Sequence, residues 1–315
     1  MTLAADPTPR TWPARESTYH PARPLDLLAT AGVLQRGRRD PTMAIDGSVI
    51  WRAMRTVAGL ATLALRQSRD EVRATAWGPG AEEALERVPG LCGADDDPEG
   101  FDPSSHPLLA ATAHRHPGLR LTRTDSVFEA LVGAIIEQKV TGLQAFGAWR
   151  VLVTRFGDAA PGPVPRPLFA APDADAWRRI PSWAWHRAGV EPPQSRTIVR
   201  AAERAPSITR AVLAAPDGAA RDAVLTSLPG IGLWTAAETR IRALGDPDAV
   251  SVGDYHLAHE VGFALTGART DDDGMLALLA PWAGHRQRVV RLIRVSGAVE
   301  PRRGPRLAPE DHRAR

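Results

Sequence analysis

One cysteine, one lysine and two tyrosines are spread over 315 residues, and each scarcity excludes something. Cys92 has no partner in the chain, so neither an internal disulfide nor a cysteine-ligated iron–sulfur cluster can form. No apolar run reaches the roughly 20 residues of a membrane-spanning helix. The opening residues contain Pro and Arg and lack the apolar core of a signal peptide. A cytoplasmic protein that meets no membrane is expected.

The shortage of lysine also explains a misleading number. The isoelectric point near 9.7 looks strongly basic, yet the formal charge is only +3. With so little Lys and Tyr, few groups titrate between neutrality and the arginine range, so a small excess of Arg sets a high value. All but one of the 39 basic residues are Arg; Lys139 is the exception. Residues 1–100 are net acidic, and the basic excess falls in the remaining two-thirds and in the tail from Pro301. A nucleic-acid footprint is allowed there and not demanded.

What is present is ample apolar material: 43% of the residues, enough for a full core and for two domains or one large one. The pattern predicts an α+β chain. Residues 1–23 read as extended or disordered, and 24–104 as an α+β domain with an antiparallel sheet. Within it are a short helix over Pro24–Leu34, strands over Val49–Arg55, Gly59–Gln67 and Glu71–Trp77, and a helix over Ala81–Val88. The acidic turn Asp95–Gly100 is taken as the boundary; it lacks the ligand spacing of a calcium loop. Residues 105–297 read as a mostly helical domain and 298–315 as a disordered tail. In the helical part Ser126 is placed to cap a helix with one broad apolar face, and Thr141 or Gly142 opens the next. Ala160–Pro167 is a proline-rich connection.

The most informative segment is Leu228-Pro229-Gly230-Ile231-Gly232, followed by Leu233-Trp234-Thr235 and then by Val252-Gly253-Asp254-Tyr255. Pro229 and Gly230 end a helix over Ala219–Leu225, and Gly232 opens a turn from which a helix can run to Leu244. Backbone N–H groups left bare at that helix start suit an anion such as a DNA phosphate. By itself Pro-Gly-Ile-Gly also describes an ordinary turn between helices.

Three motifs in order separate the two readings. The hairpin with its downstream Asp resembles the helix-hairpin-helix DNA glycosylases, and Gly-Ile-Gly-x-Trp-Thr-Ala is similar to the 3-methyladenine DNA glycosylase II branch. Phe128–Val140 is the second match and Ala280-Pro281-Trp282 the third, so the resemblance runs from Asp125 to Ser296. It implies a helix-hairpin-helix glycosylase domain after the sheet domain. The implied partner is double-stranded DNA with a damaged base, and the implied location is the nucleoid. The protein would be monomeric and need no cofactor.

The resemblance assigns Asp254 as the catalytic carboxylate, where it would stabilise positive charge developing on the sugar; Asp254 is also well placed to cap a helix. Gly230, Gly232 and Trp234 would offer amides to the phosphate, with Thr235 adding its hydroxyl. Backbone carbonyls of Thr226, Leu228 and Ile231 would hold a monovalent cation. Trp234 stands where lyase-competent relatives carry their Schiff-base lysine, which implies a monofunctional enzyme; its indole would stack on a flipped base or pack in the core. Gln138 and Lys139 fall where relatives push a side chain into the duplex. Lys139 departs from the apolar wedge and would serve as wedge or phosphate contact, or stand there by chance. Glu238 and Arg291 replace pocket aromatics, and Tyr255, His256, His285, Trp183, Trp185 and Trp282 complete the pocket candidates. With no other ligand-spaced His or Cys nearby, no catalytic metal is expected. A lyase or oxidised-base glycosylase using Lys139, and a damage-binding protein without turnover, are the alternatives.

Overall fold

The computed structural model describes residues 12–298 and residue 300. Five strands form one antiparallel sheet in the order β1-β5-β4-β3-β2: β1 Arg15–Tyr19, β2 Met43–Asp46, β3 Val49–Arg55, β4 Leu60–Ser68 and β5 Glu71–Trp77. Strands β2 to β5 are a meander whose turns follow the local chemistry. Gly47, at φ 57°, turns the two-residue β2–β3 loop, and Arg69, at φ 50°, turns the β4–β5 loop. In β5 burial alternates, with Val72, Ala74 and Ala76 pointing into the core. That face packs on α1 (Leu27–Ala31), α2 (Ala81–Glu86) and α3 (Val88–Leu91), around Met43, Met54, Leu63, Leu65 and Cys92.

Within the segment 1–23, read as extended or disordered, residues 15–19 form the extended strand β1 on β5. This edge strand is polar and mostly exposed, so no apolar alternation marks it. The rest of that segment before residue 12, and the tail from 301, lie outside the described residues. The Pro24–Leu34 helix is realised as α1 with a 3₁₀ turn, Gly32–Leu34, capped by Asp26, which accepts the Ala29 N–H. The proline-rich connection is bracketed by a two-stranded ribbon, β6 (Asp158–Ala159) and β7 (Phe169–Ala170). It lays Leu168 and Ala170 against the second face of the sheet.

Beyond the sheet the chain is helical: α4 (Pro107–Arg115), α5 (Val127–Ile136), α6 (Gly142–Phe156), α7 (Ala174–Arg179), α8 (Ser182–Ala188), α9 (Pro192–Glu203) and α10 (Ala205–Ala214). Then come α11 (Gly218–Thr226), α12 (Leu233–Leu244), α13 (Leu257–Thr266), α14 (Asp272–Leu279) and α15 (Arg286–Ser296). One core joins α5 through α12; another joins α4 to α13, α14 and α15. Helix α5 is buried all round rather than on one face: Val127, the run Ala130–Ile136 and no exposed position among them. Ser126 stands at its start, but its hydroxyl donates to the Thr124 carbonyl and makes no cap. Thr141 does cap α6, in a reciprocal box with Gln144.

The acidic turn is a joint and not a loose boundary. Asp96 is buried, and its two oxygens take both terminal nitrogens of Arg288 on α15 at 2.7 and 2.9 Å. Two further buried pairs tie α5 to the sheet unit: Arg52 to Glu129 at 2.9 Å, and Arg36 to Glu137 at 3.3 Å. Removing one partner of such a pair typically costs about 3–5 kcal/mol, because the other charge is left buried and alone.

Candidate active site

The hairpin joins α11 to α12 as the residue order demands. Gly230 adopts φ 94°, and a Cβ there would stand 2.3 Å from the Thr197 hydroxyl oxygen of α9, so the left-handed turn and the close approach both require glycine. Gly232 is the residue before α12 and has no side chain to cap it; a Cβ added there would meet nothing within 4 Å. The first N–H groups of α12 thus open onto free space. The Leu228 carbonyl accepts the Ile231 N–H at 3.1 Å and keeps a second lone pair, while Thr226 ends α11. Neutral carbonyls at a helix end are the donor set that fits an alkali cation. Among the described residues no cluster of three or more His, Cys, Asp or Glu is arranged for a metal ion.

Asp254 lies across from the first turn of α12, in the loop that opens α13. Three donors address its half-buried carboxylate. Oδ2 accepts the Trp234 indole N–H at 3.1 Å; Oδ1 accepts the backbone N–H groups of His256 and Leu257 at 2.9 and 3.0 Å. One oxygen of Asp254 thus serves the start of α13 while the other is held by the indole. Its loop is pinned from both sides. The buried Ser251 donates to Glu238 of α12 at 2.6 Å, and Gly253 N–H donates to Asp272 of α14 at 3.0 Å. From sequence, Asp272 reads only as a cap or turn residue. Asp271 is the cap of α14, and Asp272 reaches the Asp254 loop instead.

The structure brings Trp234, Asp254, Tyr255 and His256 together. Tyr255 is exposed and meets the His256 ring edge-on, with centroids 4.8 Å apart. Trp234, Glu238 and Arg242 recur every four residues along α12 and share a face. Glu238 is committed to Ser251 and, at 3.7 Å, to Arg242, which in turn donates to the Val33 carbonyl. Arg291 is half-buried and donates to the Ala29 carbonyl at 2.8 Å. Burial first, then the charges of Arg294 and Arg242, pushes its guanidinium down to about 10. Both Arg242 and Arg291 thus close on carbonyls of the α1 segment.

Four pocket candidates lie elsewhere. Trp185 is core, stacked on Trp177, with its N–H on the Ile180 carbonyl. Trp183 is half-exposed beneath Arg155. Trp282 is buried and donates to the Asp102 carbonyl, and His285 engages the Glu99 carbonyl against Phe101. Arg155, Asp102 and Glu99 are distant in sequence from the rings they hold, and the Trp177 stack exists only in the folded core, so none of these places is readable from neighbouring residues.

Gln138 and Lys139 follow α5. Gln138 Nε2 donates to the Gly230 carbonyl at 2.9 Å and to the Thr235 hydroxyl at 2.8 Å, so both side chains face each other and not outward. Lys139 is exposed with φ 56°. Leu143, in the first turn of α6, is 76% exposed, an apolar tip near Lys139 in the chain that no sequence motif marks.

No protein-family model matches this chain, and no curated protein matches it by sequence. Solved structures do. The 3-methyladenine DNA glycosylase from Archaeoglobus fulgidus is similar at a TM-score of 0.76 and 17% identity, over 89% of this chain and 98% of that one. The Clostridium acetobutylicum 8-oxoguanine glycosylase/lyase is similar at 0.68 and 11%, over 91% and 98%, in its apo-form. Bound to double-stranded DNA with cytosine opposite 8-oxoguanine, that enzyme matches at 0.68 as well. Among the described residues no helix is long and apolar enough to cross a membrane. At these identities the likeness is one of fold: this chain shares the fold of those two DNA glycosylases over about nine-tenths of its length.

Proposed function

We propose that this chain is a monofunctional DNA glycosylase that turns an alkylated purine out of duplex DNA and hydrolyses its N-glycosidic bond. The observation that carries the reading is Asp254. It is a half-buried carboxylate held by three donors beside the open helix start of a glycine hairpin. The hairpin amides bind a phosphate of the damaged strand, which fixes the register of the duplex without reading sequence. A cation held by the carbonyls of Thr226, Leu228 and Ile231 would add positive charge toward that phosphate. The target nucleotide leaves the stack, its base bounded by Trp234, Tyr255 and His256. As the C1′–N bond breaks, its electron pair departs with the base, and the Asp254 carboxylate stabilises the cationic sugar. A water attacks C1′ and Asp254 takes its proton.

Trp234 argues for hydrolysis without strand cleavage, because an indole forms no imine with the sugar. The second reading, a glycosylase/lyase, rests on Lys139 as the one lysine of the chain and on the likeness to an 8-oxoguanine glycosylase/lyase. Glu238 and Arg291, charged where relatives place aromatics, make the wall of the site more polar, and both are held by partners within the protein, Glu238 by Ser251 and Arg291 by the Ala29 carbonyl. Leu143 and Lys139 together supply an apolar tip and a cation for the gap the base leaves. The test is to measure bases released from methylated, deaminated and oxidised duplexes, with borohydride trapping in parallel. Release of 3-methyladenine with no trapped adduct supports the reading. Release of oxidised bases with an adduct supports the second, and duplex binding with no release from any substrate leaves a damage-binding protein.

A further inference from the structure

Gln194 is a buried amide with an unusual load. Its Nε2 lies 3.3, 3.1 and 3.0 Å from the carbonyls of Ile135, Ile136 and Gln138, acceptors at the end of α5. Its Oε1 accepts the Glu191 N–H in the box that starts α9. Just beyond these carbonyls the chain turns through Lys139 at φ 56°, a left-handed conformation unfavourable for a residue with a Cβ. Gln138, inside the same turn, reaches the hairpin at Gly230 and Thr235. Thr197, three residues after Gln194 and also buried, backs Gly230 from the other side.

Two side-chain amides therefore bind three elements that sequence separates widely. We propose that Gln194 and Gln138 form an amide relay that holds the Lys139 turn and the phosphate-binding hairpin as one rigid body. Gln194 is then a positioning residue for DNA engagement, acting through Lys139 and touching no DNA itself. The proposal rests on the glycosylase reading for its DNA contacts, while the relay is a property of the free protein. Without the relay the strained turn relaxes, and Lys139 loses its fixed distance from the amides of Gly232 and Trp234. Preorganisation of this kind lowers the ordering cost on binding.

Two measurements on the full chain test it. Gln194→Met keeps the length and removes donor and acceptor; Gln194→Glu keeps the acceptor for Glu191 and removes the amide donors. In hydrogen exchange on the free protein, both variants should speed exchange in residues 137–142 while α12 and the sheet stay protected. Exchange unchanged in 137–142 overturns the relay whether or not the protein binds DNA. For a plain duplex at low salt, Gln194→Met should weaken affinity about tenfold, as loss of one phosphate contact does. The double variant with Lys139→Gly should be no weaker than either single. Multiplying losses would show that Gln194 does not act through Lys139 and would overturn the assignment. If Gln194→Met does not fold, Gln138→Met, at a partly exposed position, enters the same exchange and affinity comparisons, and the same outcomes support or overturn the relay. Failure of the wild type to bind duplex would count against the glycosylase reading and leave the exchange test standing.

Discussion

The indole N–H of Trp234 donates to the Asp254 carboxylate at 3.1 Å across 20 residues of chain. The indole thus orients one carboxylate oxygen, while the other is held by the start of α13. Asp254→Asn should abolish excision and leave duplex affinity near the wild-type value, since the lost interaction belongs to the transition state. Trp234→Phe keeps a ring and deletes the N–H. A hydrogen bond to a charged group is worth about 1.5–3 kcal/mol, so single-turnover excision should slow by roughly ten- to a hundredfold. Unchanged single-turnover rates in Asp254→Asn would end the assignment.

The two hairpin glycines should fail in different ways. Gly230→Ala forces a Cβ into the Thr197 side chain in a left-handed turn, so it should lower the melting temperature along with duplex affinity. Gly232→Ala meets open space at an extended φ of −101° and should leave the melting temperature unchanged. Its methyl stands where phosphate must approach, so affinity should drop alike for damaged and intact duplexes. A loss confined to damaged DNA would argue against the phosphate role.

The parts legible in the sequence are those governed by local chemistry. Pro229, Gly230 and Gly232 punctuate two periodic helices, so the hairpin can be placed to within a residue or two. The meander strands β3 to β5 are apolar runs between turn signals; β5 alternates as a half-buried strand does, while β3 and β4 are buried along most of their length. Polar β1 carries no such signal, because pairing with β5 and not burial creates it. Likewise Gln194 and Asp272 look like ordinary helix residues until the fold supplies the end of α5 and Gly253 as partners, and Glu238 and Arg291, marked in the sequence as pocket candidates, show their partners Ser251 and the Ala29 carbonyl only in the fold. Asp96 reads only as part of a boundary turn for the same reason; its Arg288 lies 192 residues away.

Cys92 offers a check on the sheet core. It is fully buried, and desolvation pushes its thiol up to about 12, against a smaller opposing pull from Arg120. Alkylation at pH 8 should be negligible in the native protein and fast in urea. A folded value raised above the ordinary 9 means that the thiol contributes stability below pH 9 and loses that contribution as pH rises from 9 toward 12. The wild type minus Cys92→Ala difference in unfolding free energy should therefore shrink over that window. Rapid labelling of the native protein would contradict the packing.

Lys139 decides between hydrolysis and strand cleavage. Its exposed side chain projects from a left-handed turn, so Lys139→Gly removes the charge and relieves the turn, whereas Lys139→Ala removes the charge and keeps the strain. If Lys139 contacts a phosphate or the gap, Lys139→Gly should slow excision and lower the salt dependence of binding by about one counterion. Lys139→Arg should then recover most of the salt dependence, since the charge is kept, but fit the gap less well. A nucleophile behaves otherwise: Arg forms no imine, so Lys139→Arg would be as dead as Lys139→Gly, and the wild type would form a borohydride-trapped adduct. No adduct is expected, because Trp234 and not a lysine lies against Asp254. A trapped complex present in the wild type and lost in Lys139→Arg would overturn the monofunctional reading and make Lys139 the attacking amine.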